Sequence, residues 1–543
     1  MRWQVVEKRR KDERKYKQTK SNWNILLVIL MAVFVMVIDT TAMNVSIENV
    51  VKDLNTNVST VKGVMSLYTL VMASCMLLGA KLSDIIGKKK AFIYGLLIYC
   101  VGTLTAALSA NIIMLAIGWP VIEGIAAAIM MPAVLSILIS NYEGRDRAKA
   151  MSIYATVAAV ALAVGPIIGG AVTTYLSWRV IFGGEVMVAI IALVFSGVIP
   201  KDFIVKENRP KIDFVGFLFS ALGLFLIVLG LLTAQDYGWF YAKQPFEIGG
   251  VTLSLFGLSA SFIMILFGIA FLFMLLMWLR KRVKNNKAVL FHPQIFSNRI
   301  FSPAIFVYLF GQMTFSGIMF CMPVFMQNAL GYNAFNTGIS LMPLSIALLI
   351  SSLFVTRLIY RFSPKIMLIA GLISLLTGIT LMRMPFWGNF TDISGSSFIS
   401  AFLFIGFGVG IAFSVAYNLA LSNVNIEWKN EGSGLLTTFQ NLGASASVAV
   451  LGTVLFSSVF GYIAQGILDS SILNTTDMTK NEIRELLIQN VETFKEVVEP
   501  KIASIVTNAM SMSMNLVGIV LTVIVSIGLL LAVFILPNVK LKE

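Results

Sequence analysis

The sequence has few charged residues, one histidine and three cysteines, and these scarcities exclude several classes of protein. Asp, Glu, Lys and Arg make up 13% of the 543 residues, whereas a soluble domain carries about 25%. The lone histidine, His292, has no second metal ligand nearby, so we interpret it as a surface residue and predict no metal site. The sequence has no Walker A motif and no paired nucleophile and base, which disfavours an ATP-driven pump and a membrane-embedded enzyme.

Apolar residues dominate the composition instead. They make up 57% of the chain, and the mean hydropathy is +0.86. Uncharged runs of about twenty residues, the length that crosses a bilayer as a helix, recur from Trp23 to Leu536. The sequence therefore predicts an all-α polytopic membrane protein with about fourteen transmembrane helices.

The distribution of basic residues predicts the orientation of the chain. The net charge of +14 invites a nucleic-acid interpretation. However, Lys and Arg fall in alternate loops, as the positive-inside rule requires, so we expect no nucleic-acid partner. Residues 1–22 form a basic tail that we place in the cytoplasm, and both termini are expected there.

The longest outer loop, 463–510, has apolar residues at helical spacing after Thr479 and Glu482, which predicts an amphipathic helix lying on the outer face.

Three acidic residues are predicted to lie within spans of the first half. Asp39 lies in span 1, Glu123 in span 4 and Glu185 in span 6. A charge inside the bilayer is costly and rare, so each is a candidate for proton coupling or substrate binding. Burial in a medium of low dielectric constant favours a neutral carboxyl group, so Glu123 can carry a proton. For Glu185, an interfacial position with pairing to Arg179 is an equally open interpretation.

Two other segments are candidates for gating. Span 5 contains Gly165-Pro166 followed by Gly169-Gly170, which predicts a kinked helix that another helix can approach closely. The predicted loop Ala80–Lys90, between spans 2 and 3, carries Asp84, Gly87 and Lys88. Asp84 can accept hydrogen bonds from helix amides or nearby cations and so hold two helices together. Alternatively, the basic residues act only as a positive-inside anchor.

Several of these motifs resemble the major facilitator superfamily, in its fourteen-span branch of drug:proton antiporters. Asp39-Thr40-Thr41-Ala42-Met43-Asn44-Val45 resembles the signature of the first span. The segment 80–90 resembles the motif between spans 2 and 3. Gly165-Pro166-Ile167-Ile168-Gly169-Gly170 resembles the antiporter motif of span 5, which is the most specific of the set.

The resemblance implies a fold of two six-helix bundles with two inserted central helices. We expect an N-terminal bundle over 23–200, the inserted helices and linkers over 201–290, and a C-terminal bundle over 291–543. The resemblance also implies alternating access driven by the proton gradient. Many relatives carry an Arg followed three residues later by Gln in span 4, whereas this chain has Pro120 and Glu123. Our hypothesis is that Glu123 is itself the protonation site, with Asp39 and Glu185 contributing.

The expected function is therefore a proton-coupled antiporter in the cell membrane that exports amphipathic or cationic small molecules. Its partners are the small-molecule substrate, protons and the lipid bilayer. No cofactor is expected, and the resemblance suggests a monomer. The alternatives are a dedicated exporter or importer of one metabolite, peptide or lipid, and a membrane sensor that transports nothing.

Overall fold

Fourteen long helices form the described part of the chain. The computed structural model describes residues 23–56, 58–142, 144–200, 213–243, 246–248, 251–253, 257–358, 361–387, 393–422, 424–425, 428–469 and 500–538. The first six helices are α1 Trp23–Asp53, α2 Val58–Ile86, α3 Lys88–Ala107, α4 Ile112–Asn141, α5 Gly144–Tyr175 and α6 Arg179–Phe195. The remaining eight are α7 Phe214–Tyr237, α8 Ala260–Lys284, α9 Phe301–Asn328, α10 Ala334–Leu358, α11 Pro364–Arg383, α12 Ile399–Ser422, α13 Lys429–Asp469 and α14 Pro500–Leu530.

The helices pack around two separate apolar cores. One core is built from α1–α6, which we call the N-terminal bundle. The other draws mainly on α9–α14, which we call the C-terminal bundle, with a few residues from α2, α8 and the segment that follows α8. The predicted fold of two six-helix bundles with two inserted helices is therefore confirmed.

The inserted helices α7 and α8 pack on each other, and α7 also contacts α2 and α13. The buried Asp213 fixes this pair at one end. Its Oδ1 caps α7 by accepting from the Gly216 amide at 3.0 Å and also accepts from Trp278 Nε1 of α8 at 3.0 Å. The Arg282 Nε lies 3.6 Å from the other oxygen. One carboxylate thus joins both inserted helices, a role that its predicted loop position did not suggest.

The surface of the helices is apolar, as a bilayer environment requires. Thirteen of these helices are long and apolar enough to cross a membrane, and α5 contributes the shorter apolar stretch Val160–Tyr175. Large apolar side chains are exposed along α8, for example Leu266 at 56% and Phe267 at 58%. A monomeric soluble protein rarely exposes so much contiguous apolar surface. The chain is therefore a multi-pass membrane protein.

Three predicted boundaries were wrong. The second inserted span begins at Ala260 rather than Val251, because Val251–Leu253 instead pairs with Phe246–Ile248 as an antiparallel hairpin. The predicted loop 80–90 is helical except at Gly87, where φ is +93° and α2 gives way to α3. The predicted outer loop 463–510 is shorter, since α13 extends to Asp469 and α14 begins at Pro500. The amphipathic helix predicted after Thr479 lies outside the described residues.

The glycine-rich segment of α5 contacts α1 within the N-terminal bundle and α10 of the C-terminal bundle. A Cβ at Gly165 would lie 1.9 Å from Thr41 Oγ1, and one at Gly169 would lie 2.6 Å from Ala42 Cα, so α1 packs directly on this face. Gly170 is also buried. Towards the C-terminal bundle, a Cβ at Gly338 of α10 would lie 2.9 Å from the carbonyl oxygen of Pro166. The close approach predicted from the glycines is thus present, with Pro166 inside a continuous helix.

We expect Gly169→Ala to destabilise the protein, because the new Cβ would collide with the backbone of α1 rather than with a flexible side chain. Overpacking of this kind costs about 1–3 kcal/mol. Gly183→Ala in α6 is the matched control, since a Cβ at Gly183 has nothing within 4 Å. Thermal unfolding of the purified protein in detergent measures both variants. Equal stability of the two would show that α1 and α5 do not pack as described.

Candidate functional site

Three carboxyl groups from three helices meet inside the N-terminal bundle. Asp39 of α1, Glu123 of α4 and Glu185 of α6 each place a carboxylate oxygen within 4.8 Å of the other two. We call these residues the acidic cluster. Their exposed fractions are 0%, 0% and 3%, so the cluster is enclosed by protein. The three acids that were predicted separately from the sequence therefore form one site.

One oxygen of each acid accepts a hydrogen bond from the surrounding helices. Trp119 Nε1 donates to Asp39 Oδ2 at 2.7 Å, and Thr103 Oγ1 donates to Glu123 Oε2 at 2.8 Å. The Tyr99 hydroxyl donates to Glu185 Oε2 at a longer 3.4 Å. In the part of the chain that the structure describes, the second oxygen of each acid has no hydrogen-bond partner. Each side chain is thus oriented through one oxygen, while the other is left unpartnered.

A wide turn in α4 positions Glu123. Residues Ile117–Glu123 form a π-helix that contains Pro120, whose ring and missing amide disrupt the regular α-helical pattern. Helix α3 lies directly against this turn, since a Cβ at Gly102 would lie 2.7 Å from the backbone nitrogen of Glu123. The same turn carries Trp119, which holds Asp39. Of the two residues that depart from the resembled motif of span 4, Pro120 therefore lies in the wide turn and Glu123 belongs to the acidic cluster.

Aromatic side chains pack beside the acidic cluster. Trp119 stacks on Tyr68 of α2 with ring centroids 5.8 Å apart and meets the ring of Phe182 at 5.7 Å. Tyr68, Tyr99, Trp119 and Phe182 are all at most 2% exposed. These rings exclude water and lower the local dielectric constant, so electrostatic interactions among the three acids are strong.

Among the described residues, no Lys, Arg or His nitrogen lies within 4 Å of the acidic cluster. Arg179, the alternative partner considered for Glu185, instead pairs with Asp53 and donates to the Ser109 carbonyl at 2.7 Å. The interfacial interpretation of Glu185 is therefore wrong. Three adjacent carboxyl groups without a counter-ion cannot all be ionised, so protons or another cation must offset part of their charge.

A second polar site joins the two bundles. Lys81 of α2 lies 3.4 Å from Glu431 of α13, and both side chains are 8% exposed. The other oxygen of Glu431 accepts from the backbone amide of His292 at 2.8 Å and from its ring Nδ1 at 2.9 Å. His292 also stacks on Trp428 with ring centroids 4.7 Å apart. We call Lys81 and Glu431 the interbundle ion pair.

The sequence interpretation missed this second site. It treated His292 as a surface residue and identified acids within spans only in the first half, whereas Glu431 is buried. The one available signal was a lone acid directly before Gly432-Ser433-Gly434.

The predicted gating residues Asp84, Gly87 and Lys88 follow Lys81 in the sequence. Asp84 and Lys88 are half-buried on either side of Gly87, at the end of α2 and the start of α3. The neighbouring Lys89 donates to the carbonyl of Gly197 at 3.1 Å, and also to that of Ile199, just beyond the end of α6. Lys81 and Lys89 of this segment therefore bind specific groups, and the role of Asp84, Gly87 and Lys88 in gating stays a prediction.

Comparison with known proteins agrees with this architecture. The sequence model of the Major Facilitator Superfamily matches residues 29–291 and 246–448. The chain is 26% identical over 448 residues to a puromycin resistance protein of Streptomyces alboniger, covering 81% of this chain and 83% of that protein. It is 26% identical to a methylenomycin A resistance protein of Bacillus subtilis (82% and 90% covered) and 25% identical to the multidrug transporter protein MdtP of the same organism (81% and 76%).

Comparison with solved structures supports the same fold. The crystal structure of the human organic anion transporter MFSD10 superposes with a TM-score of 0.55. The match covers 81% of this chain and 95% of that one at 12% sequence identity. At this identity the comparison indicates the fold alone.

We expect Lys81→Gln and Glu431→Gln each to lower the free energy of unfolding by about 3–5 kcal/mol, because each leaves a buried charge without its partner. The double variant should lose less than the sum of the two. Arg179→Gln and Asp53→Asn are matched controls at an exposed pair, with side chains 30% and 45% exposed, and should cost at most about 1 kcal/mol. Chemical denaturation of the four single variants and the double variant measures this. Additive losses at Lys81 and Glu431 would contradict direct pairing.

Proposed function

The chain belongs to the Major Facilitator Superfamily, and from that premise we propose that it is an antiporter that exports amphipathic or cationic small molecules in exchange for protons. The proposal places it in the cell membrane with both termini in the cytoplasm, acting as a monomer by alternating access. The observation that carries it is the acidic cluster.

The geometry of the acidic cluster supports proton coupling. Asp39, Glu123 and Glu185 are buried together without a basic partner among the described residues, so their charge must be offset by bound cations. Protons are the smallest such cations and can hop along hydrogen-bonded groups. The donors Trp119, Thr103 and Tyr99 stabilise whichever carboxyl group is ionised at a given moment. The cluster therefore suits a site that gains and loses protons during each transport cycle.

The names of the relatives support the direction and the cargo. Two are resistance proteins against puromycin and methylenomycin A, and a third is named a multidrug transporter. A resistance protein that removes its compound from the cell works as an exporter. At about 25% identity the cargo of a relative does not transfer directly. A panel of structurally different compounds distinguishes a broad exporter from a carrier of one metabolite, peptide or lipid.

Two contacts between the bundles suit alternating access. The interbundle ion pair joins α2 to α13, and Ser445 Oγ donates to Thr69 Oγ1 of α2 at 2.9 Å further along the same pair of helices. Elsewhere, α5 packs on α10. In our proposal the first interface opens towards the cytoplasm when Lys81 and Glu431 separate. Helix α5 stays in contact with α1 and transmits movement of the N-terminal bundle to the C-terminal bundle.

We expect Glu123→Gln to abolish transport driven by an imposed pH gradient in proteoliposomes, because an amide cannot exchange a proton. Substrate-induced proton release should disappear together with the transport. Asp53→Asn is the matched control, since it removes an acid from α1, the helix of Asp39, outside the acidic cluster. Undiminished proton coupling in Glu123→Gln would remove Glu123 from the mechanism. Proton coupling that also persists in Asp39→Asn and in Glu185→Gln would overturn the proposal.

A further inference from the structure

Besides the oxygens that accept hydrogen bonds, the acidic cluster has buried oxygens without a partner among the described residues. Asp39 Oδ1, Glu123 Oε1 and Glu185 Oε1 are buried and have no hydrogen-bond partner among the described residues. The Tyr68 hydroxyl is likewise buried and makes no hydrogen bond among the described residues, and its ring stacks on Trp119, which holds Asp39. This hydroxyl comes from α2, a fourth helix, and adds a neutral oxygen to those of the three acids. Unsatisfied buried oxygens are costly, so a group of four in one place indicates a missing binding partner.

We propose that the acidic cluster and Tyr68 bind one hard divalent cation, of the calcium and manganese class, as an alternative to protons. This inference rests on the proposed function, because it assigns a second kind of coupling ion to the same three acids. It goes beyond that function by giving the site a metal ligand, which neither the sequence motifs nor the relatives indicate.

The spacing of the oxygens suits a single metal ion. Calcium binds oxygen ligands at about 2.3–2.6 Å, so two ligands on opposite sides of the ion are about 5 Å apart. One oxygen from each acid lies within 4.8 Å of the others, so the three can share one ion after small side-chain rotations. The same spacing leaves no room for an organic cation between the carboxyl groups. In this arrangement the drug-like cargo must therefore bind elsewhere.

The chemistry of the ligands selects the type of ion. The four free atoms are carboxylate and phenol oxygens, and oxygen ligands favour calcium, magnesium and manganese over the softer metals bound by thiolates. Three carboxylates carry up to three negative charges, and a divalent ion offsets two of them where a sodium ion would offset only one. Because the dielectric constant of the bundle interior is low, the larger compensation is strongly favoured.

The hydrogen bonds of the second oxygens fit the same role. Metal-binding carboxylates are usually oriented by further hydrogen bonds, and such partners are part of the design of a metal site. Here Trp119, Thr103 and Tyr99 each hold one oxygen of one acid, and the other oxygen of each acid has no hydrogen-bond partner among the described residues. A metal site could not be predicted from the sequence, because the three acids lie in separate helices with no motif spacing.

Binding of Mn²⁺ to the purified full-length protein in detergent tests the inference, with electron paramagnetic resonance to count the bound ions. We expect one site per chain, from which Ca²⁺ displaces Mn²⁺ and Na⁺ does not. Asp39→Asn, Glu123→Gln and Glu185→Gln should each weaken binding by at least about tenfold, the lower end of the loss caused even by removing an outer partner of a metal ligand. Tyr68→Phe should weaken it with little effect on folding, because only a hydroxyl is removed.

Asp53→Asn is again the matched control and should retain the site. Size-exclusion chromatography and thermal unfolding establish that each variant is folded. Absence of stoichiometric Mn²⁺ binding would overturn the inference. So would binding that is retained in all three variants of the acidic cluster and in Tyr68→Phe. So would binding of Na⁺ in place of the divalent ions. Because the measurement needs no transport, a protein that binds no metal but still couples to protons would refute this inference and leave the proposed function standing.

Discussion

The repulsion among three carboxyl groups in an apolar interior is the constraint on which the N-terminal bundle depends. Asp39, Glu123 and Glu185 come from helices that pack together to form one core, so the same folding that buries apolar surface also forces the acids together. Water is excluded by Trp119 and its aromatic neighbours, and screening is weak. Protons or another cation must therefore offset part of the negative charge of the packed acids.

The positions of the acids could be predicted from the sequence, but their meeting could not. A charge within a long apolar run is visible in one dimension, and so Asp39, Glu123 and Glu185 were identified as candidates. Their convergence depends on which faces of α1, α4 and α6 turn inward, and the π-helix at Pro120 alters that facing for Glu123. No periodic pattern reveals one wide turn, because a single extra residue interrupts the apolar periodicity at one point only.

The interbundle ion pair was missed for a different reason. Lys81 and Glu431 are 350 residues apart, and each lies near a predicted helix end, where charges are ordinarily solvated. Their burial results from the packing of α2 on α13, which no local signal reports. By contrast, a close helix contact at α5 was foreseeable, because glycines at spacings of one turn let another helix approach closely, although α1 could not be named as the partner. Local rules thus gave the helices and their small-residue faces, while the contacts between bundles required the three-dimensional arrangement.

The wide turn of α4 has a mechanical consequence. A π-helical turn holds one residue more than an α-helical turn, so α4 stores a single surplus residue between Ile117 and Glu123. Were that surplus to migrate along the helix, the side chains that it passed would rotate by about 100° and shift by about 1.5 Å, as one residue of helix requires. Glu123 is the last residue of that turn, so such a slip would change the direction of its side chain relative to Asp39 and Glu185. A backbone step of about 1.5 Å in this turn would therefore change the distance between one carboxyl group and the two beside it in the bundle.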